Sequence, residues 1–128
     1  MAIRDAMLGA RTKFKVTRVD LPVDLKVLLD GEDLYVREMT EHDSGVFECG
    51  RYVHVEGGDF RLDASRDRIR LLARTVCDAA GKREFSDDDE LALAELPRQL
   101  MDAVFDQAQK VNGLGVYRRA SDEELEKN

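Results

Sequence analysis

The side chains best suited to metal chemistry in this sequence are two histidines and a cysteine, His42, Cys49 and His54. Imidazole and thiolate groups are the usual zinc ligands, and zinc sites place them in closely spaced pairs such as Cys-x-x-Cys. The sequence contains no Cys-x-x-Cys, and the order of these three residues matches no standard zinc signature. We therefore expect no metal site, with the histidines at the surface and the thiol in the core.

Nucleophilic catalysis has equally little support. Neither Cys49 nor Cys77 lies in the glycine-rich or basic surroundings that lower the pKa of a thiol. No G-x-S-x-G and no phosphate-binding glycine loop occurs. We expect no catalytic residue, no cofactor and no enzymatic activity. Both cysteines lie beside aliphatic residues in helix-like segments, so we predict small buried hydrophobic roles for them and a reducing compartment.

Four consecutive acids, Asp87 to Glu90, form the densest charge in the chain. A cation could bind them, but a calcium loop alternates its ligands with other residues. Acidic side chains in the first turn of a helix interact favourably with its dipole. We predict that Ser86 caps a short helix here and that the four acids form its first turn.

A basic ridge is formed by Arg66, Arg70 and Arg74, which recur at every fourth position of a predicted helix. Such a ridge can bind acidic groups of a partner or of another copy of the chain. It can equally pair within the chain with the acids of residues 87–90, or remain solvated. The sequence leaves both possibilities open.

Three apolar residues also qualify as partner contacts. Met101 and Phe105 lie at one edge of the apolar stripe of the last predicted helix and widen it. Leu71 lies nearly opposite Ile69 on its own helix, among polar residues. Either other elements of the fold cover these side chains, or they contact a partner's amphipathic helix.

Composition limits the function further. The chain has 128 residues, a hydrophobic content of 43% and a formal net charge of −7. This suits one domain with a modest core. An acidic protein is a poor binder of nucleic acid or of an anionic membrane, so we expect neither partner. No continuous apolar run typical of a signal peptide or a membrane span occurs.

The pattern predicts an α+β domain over residues 14–115, made of a small antiparallel β region followed by three to four helices. Residues 1–13 are of uncertain order, and residues 116–128 are a mobile charged tail. Strands are expected at 14–19, 25–29 and 34–37, with a hairpin turn at Asp30-Gly31. A short β-hairpin is expected over 52–62, turning at Gly57-Gly58.

Helices are predicted from their caps and apolar periodicity. Thr40 begins one that ends at Gly50, another covers Ala64 to Cys77, and the last covers about Pro97 to Asn112. In the turn between the second and the last, Gly81 is placed for a positive φ, and Phe85 returns to the core.

One series of these features is informative as a whole. An aliphatic helix is followed by Asp78-Ala79-Ala80-Gly81-Lys82-Arg83-Glu84-Phe85, then by Ser86-Asp87-Asp88-Asp89, and a final helix ends in Asn112-Gly113-Leu114-Gly115. In order and spacing this resembles the C-terminal half of the small tail assembly chaperones of long-tailed bacteriophages. The resemblance covers about residues 25–115.

The resemblance implies a protein that binds the tape measure protein, a long apolar helical chain, and keeps it soluble until the tail tube polymerises around it. It implies action in the host cell cytoplasm and absence from the mature virion. The tail tube protein and further copies of the chain are additional candidate partners. The alternative is a structural or head–tail completion protein that stays in the virion. A DNA-binding regulator would need a basic segment, which we do not find.

Overall fold

Residues 2–114 are described by a computed structural model of the protein, and in them short strands alternate with helices. In chain order, the elements are α1 (Ala2–Gly9), a 3-10 turn (Ala10–Thr12), β1 (Val16–Arg18), α2 (Val23–Leu28), β2 (Tyr35–Arg37), α3 (Glu41–Cys49), β3 (Tyr52–His54), β4 (Phe60–Leu62), α4 (Asp67–Thr75), β5 (Val76–Cys77), a second 3-10 turn (Asp87–Asp89), α5 (Glu90–Leu93) and α6 (Arg98–Val111). The α+β prediction is confirmed.

A three-stranded antiparallel sheet, in the order β1-β2-β5, joins the two halves of the chain. Thr17 pairs with Val36 on one side, and Val36 pairs with Val76 on the other. Val36 therefore lies in the middle strand and is completely buried. A separate two-stranded hairpin, β3–β4, turns at Gly57 and Gly58 as predicted. Both glycines have positive φ.

The core lies between this sheet and the helices. It is formed mainly by α4 and α6, which pack against each other, and α6 also packs on β2. Its buried residues are Val19, Val36, Phe47, Leu71, Leu72, Ala73, Val76, Leu93, Leu100, Met101, Val104 and Ala108. The predicted stripe of α6 is thus confirmed, and Phe85 packs against the same cluster.

The predicted strand over residues 25–29 is wrong, because this segment forms α2. Leu25 and Leu29 fit a strand period of two, but with Leu21 they also fit a spacing of four. The second pattern is realised: Leu25 is buried, while Leu21 and Leu29 pack against the core. Asp30 and Gly31 have the expected positive φ values of 55° and 77°, but they end α2 instead of joining two strands.

Helix α4 is shorter than predicted at both ends, covering Asp67 to Thr75. At Val76 the backbone becomes extended, with φ −65° and ψ 127°, and the chain enters β5. Backbone pairing of Val76 with Val36 supplies hydrogen bonds that compete with a further helical turn. Cys77 consequently lies in a strand and not, as predicted, in a helix.

The N-terminal segment forms helix α1, whose side chains are all exposed. Across residues 2–114, none of the helices combines the length and the apolar character that crossing a membrane demands. Residues 116–128, predicted as a charged tail, lie outside the described residues.

Candidate partner-binding groove

The arginine ridge of α4 is largely turned into the protein. Arg74 and Arg70 are only 3% and 8% exposed. Arg74 lies 3.0 Å from Glu90 and 3.4 Å from Asp87, and Arg66, which is half-exposed, lies 3.9 Å from Glu90. Of the two possibilities left open by the sequence, pairing within the chain is therefore realised for Arg66 and Arg74.

Leu71 and Met101 are also covered by other parts of the fold. Leu71 is 0% exposed and Met101 is 6% exposed. The sequence left open whether Leu71 is covered by another element or contacts a partner. It is covered, because α4 is surrounded by α3, α5 and α6. A helix packed on several sides is buried around most of its circumference. In this structure, neither residue is available for direct contact with a partner.

Phe105, in contrast, lines an accessible groove of about 450 Å³ between α3, α4 and α6. Its apolar lining comes from Phe47 of α3, Phe105 of α6, Ala64 before α4 and Leu114 after α6. The polar lining comes from Arg51, Asp67, Arg68, Gln109 and Gly113. The aromatic rings form part of the lining because the apolar faces of α3 and α6 converge on α4 from two sides.

Two guanidinium groups are positioned over the aromatic rings of this groove. The Arg68 guanidinium lies 5.5 Å from the centre of the Phe105 ring, and that of Arg51 lies 5.9 Å from the Phe47 ring. Such cation–π contacts hold the charged groups at the rim. Arg51 is further fixed by Asp67 at 3.2 Å, and Arg68 by Asp102. The groove thus combines an apolar interior with an ordered polar rim.

The sequence did not identify Arg68, Arg51 or Phe47 as members of this site. Arg68 is not on the ridge of residues 66, 70 and 74, since it lies on the side of α4 that faces Asp102 of α6. Phe47 lies within the helix predicted from Thr40 to Gly50, but it was not among the candidate contact residues. The sequence does contain a sign of Arg68 as a separate basic group. Arginines alternate with aliphatic residues in α4, and this places basic side chains on more than one side of that helix.

A network of partly buried charges supports the back of α4. Arg83 donates to the Ala73 carbonyl oxygen at 2.8 Å and to the Asp87 carboxylate at 2.8 Å. This bond from Arg83, with the nearby charge of Arg74, holds the pKa of Asp87 below its ordinary value, against the opposing effect of partial burial. The acidic run begins a helical segment after Ser86 as predicted, but residues 87–89 form a 3-10 turn and α5 begins only at Glu90. The Ser86 N–H donates to the Asp89 carboxylate at 2.8 Å.

The two cysteines have different surroundings. Cys77 is buried as predicted, and burial raises the pKa of its thiol. The prediction for Cys49 is wrong, because this thiol is exposed near the end of α3. Val46 and Phe47 turn the other face of α3 inward, which leaves Cys49 on the outer side. Within residues 2–114, no three His, Cys, Asp or Glu side chains lie close enough together to hold a metal ion.

The architecture defines a class of small α+β domains in which helices cover a short antiparallel sheet. In a comparison with solved structures, the chain matches the tail assembly chaperone of bacteriophage HK97 with a TM-score of 0.57 and 17% sequence identity. The match covers 86% of this chain and 96% of that chain. No protein-family model matches the sequence, and a search of curated proteins found no match. The predicted resemblance to phage tail assembly chaperones is therefore confirmed at the level of the fold.

Proposed function

We propose that this protein is a tail assembly chaperone of a long-tailed bacteriophage and that it has no enzymatic activity. The observation that carries the proposal is the fold shared with the HK97 chaperone over nearly the whole of both chains. A fold alone does not define a function. The proposal therefore also depends on the groove between α3, α4 and α6, which offers a place for a partner helix.

The proposed partner is the tape measure protein, bound through an apolar stretch of helix. An amphipathic helix binds a groove through side chains three or four positions apart. The ring of Phe105 and the side chain of Leu114 provide an apolar surface for such side chains, above the buried ring of Phe47 at the base of the groove. Arg51 and Arg68 at the rim favour acidic residues beside the apolar stripe of the bound helix.

The six candidate contact residues then have two different roles. We propose direct contact for Phe105, which lines the groove. Arg66 is accessible for an acidic group at the far side of α4. Leu71, Met101 and Arg74 act indirectly, since they hold α4 and α6 in place from within the core. Arg70 also acts indirectly, since it is 8% exposed and donates to the Val46 carbonyl oxygen of α3 at 2.7 Å.

The chaperone role places the protein in the host cell cytoplasm during tail assembly and not in the finished virion. Bound tape measure protein would be released when the tail tube protein replaces the chaperone along it. The net charge of −7 suits this role, because like-charged copies repel each other and keep an apolar cargo dispersed. The same charge disfavours nucleic acid as a partner.

The test is co-expression with the tape measure protein, followed by co-purification of the two chains. We compare the parent with Phe105→Asp and with Arg68→Gln, and use Leu91→Asp as the matched control. Leu91 is 74% exposed on α5, outside the groove. Phe105→Asp, which introduces a charge into the groove, should abolish co-purification, whereas Leu91→Asp should retain it. Both of these aspartate variants should keep the parent's circular dichroism spectrum.

Two results would contradict the proposal. If the parent and all variants fail to retain the tape measure protein, the chaperone role is wrong. If Phe105→Asp and Leu91→Asp retain it equally, the groove is not the binding surface. Mass spectrometry of purified virions tests the alternative directly, since a head–tail completion protein would be found in them in stoichiometric amounts.

A further inference from the structure

A second cleft lies at one end of the three-stranded sheet. Its volume is about 630 Å³, and it shares no lining residue with the groove of Phe105. One wall is the segment that leads from α2 into β2, and the other wall is the turn that follows β5. Because β2 and β5 are antiparallel and Tyr35 pairs with Cys77, the residues before β2 lie beside the residues after β5. The sheet thus brings together two segments that are distant in the sequence.

The charged side chains that line this cleft are all acidic. They number five, with three on the first wall and two on the second, and are Asp30, Glu32, Asp33, Asp78 and Glu84. All of them are exposed except Asp78, which is half-buried, so a partner can reach them. Within residues 2–114, Asp33 is the one member of this set that forms an ion pair, with the Lys26 Nζ at 3.1 Å. The other four carry negative charge without a paired cation.

The basic residues close to the cleft do not neutralise it. The Arg37 Nη1 donates to the Gly81 carbonyl oxygen at 2.7 Å. Arg83 donates to the Asp87 carboxylate at 2.8 Å. Lys82 lies in the turn after β5 but is exposed and does not line the cleft. The lining therefore keeps its negative potential, which attracts cationic groups.

The thiol of Cys77, which also lines the cleft, is subject to this potential. Burial is the main cause that raises its pKa, and the nearby Arg37 guanidinium opposes this effect. The negative charges of Asp78 and Glu84 raise the pKa of the thiol further. The acids of the second wall thus act on the sheet at the base of the cleft.

The rest of the lining is apolar or aromatic. Four side chains in it are half-buried and so keep accessible surface, namely Leu29, Leu34, Tyr35 and Phe85. Ala79 on the second wall is exposed. The cleft therefore presents apolar surface between two acidic walls, and we call it the acidic cleft.

The spacing of the acids distinguishes between possible cationic ligands. A metal ion needs several oxygen ligands within about 2.0–2.6 Å of one centre. No set of three potential ligand side chains in the described part of the chain comes close enough together for that. A peptide, in contrast, carries its positive charges on separate long side chains, which can each reach a different carboxylate. The apolar surface between the walls further favours a ligand with apolar side chains between its charges.

We propose that the acidic cleft binds a short basic segment of a partner protein, whose lysine or arginine side chains contact the acids of both walls and whose apolar side chains lie between them. Tyr35 and Leu34 offer the apolar contact surface, and complementary charge orients the segment. The site is independent of the proposed chaperone function, because none of its residues lines the groove of Phe105.

The experiment is a titration of the ¹⁵N-labelled full chain with the blocked peptide KLKLK, followed by NMR at the backbone amides of Glu32, Cys77 and Glu84. The charge-reversed peptide ELELE, the peptide KGKGK and spermine serve as controls. KLKLK should shift these signals saturably, and ELELE should not. KGKGK and spermine should bind at least about fivefold more weakly, because they bury little apolar surface.

Two double variants locate the binding site. Glu32→Gln combined with Glu84→Gln removes one charge from each wall and should weaken KLKLK binding about five- to twentyfold. Glu56→Gln combined with Glu95→Gln removes the same charge from exposed positions that do not line the cleft. This control should change the affinity less than about twofold, since salt screens charges beyond about 8–10 Å.

A third variant tests the cleft without removing an acid. Ala79→Lys places an ammonium group on the second wall and should weaken KLKLK binding at least about tenfold. Its matched control is Ala94→Lys, an equal change at an exposed position outside the cleft, which should alter the affinity less than about twofold. Because both alanines are exposed, the two variants should melt like the parent.

Three results would overturn the proposal. The first is the absence of saturable shifts with KLKLK. The second is equal affinity for KLKLK and for KGKGK or spermine, which would show that the apolar surface takes no part. The third is an equal loss of affinity in the cleft variants and in their matched controls, which would show that KLKLK responds to net charge alone.

Discussion

Replacing Leu71 by alanine separates a core role from a partner-contact role for this residue. Leu71 is 0% exposed and lies on a helix packed by α3, α5 and α6, so the surrounding structure has little freedom to fill the space left. Leu→Ala changes at buried sites cost about 2–5 kcal/mol, and we expect about 3–4 kcal/mol here. This is a large part of the stability of a domain, which is about 5–15 kcal/mol.

The assay is thermal and urea unfolding of the isolated protein, followed by circular dichroism. For a domain of this size, each kcal/mol shifts the melting temperature by about 4 °C, so Leu71→Ala should lower it by about 12–16 °C. Leu91→Ala, at a side chain 74% exposed, should change the stability by less than about 0.5 kcal/mol. The reasoning is refuted if the two variants melt alike. A Leu71→Ala protein that melts like the parent but loses the tape measure protein would establish Leu71 as a contact.

Three further predictions concern local features. Gly81→Val should destabilise the protein by about 1–3 kcal/mol, because φ is +89° there and a Cβ would lie 3.3 Å from Val16 Cγ2; a melt equal to the parent's would contradict this. Thr40→Ala should cost about 1 kcal/mol, since the Thr40 Oγ1 accepts from the Asp43 N–H at 3.0 Å and caps α3; urea unfolding measures it. Asp87 has a folded pKa below its ordinary value of 3.8, so its contribution is present at neutral pH and is lost as the pH falls through that lower value. The stability difference between the parent and Asp87→Asn should therefore shrink below about pH 4, and its plateau should stay under about 1 kcal/mol because Asp87 is half-exposed.

Local signals in the sequence were sufficient where one interaction decides the structure. Thr40 was predicted as a helix cap, and it caps α3 with its side chain. Gly81 was placed at positive φ, and the apolar period of α6 predicted its buried face correctly. In each case, the structure depends on residues only a few positions apart. The resemblance to tail assembly chaperones also came from such local pieces in a fixed order.

Predictions failed where contacts between residues far apart in the sequence determine the local structure. Val76 and Cys77 fit the end of a helix, but pairing with a strand forty residues earlier makes them extended. Whether Leu71 is covered or exposed could not be decided from the sequence, because its cover comes from three other helices. The groove could not be predicted for the same reason, since Phe47 and Phe105 come together only after α3 and α6 have packed on α4.

The side chain of Asn112 has a consequence for the order in which the protein is completed on the ribosome. It accepts from the Met39 N–H at 2.8 Å and donates to the Arg37 carbonyl oxygen, 75 residues earlier, at 3.3 Å. At a synthesis rate of about 5–20 residues per second, Asn112 is added to the chain roughly 4–15 s after β2. For those seconds, Val36 and Phe47 lack the helix that completes their burial, so the nascent chain passes through an interval in which its own apolar surface needs protection.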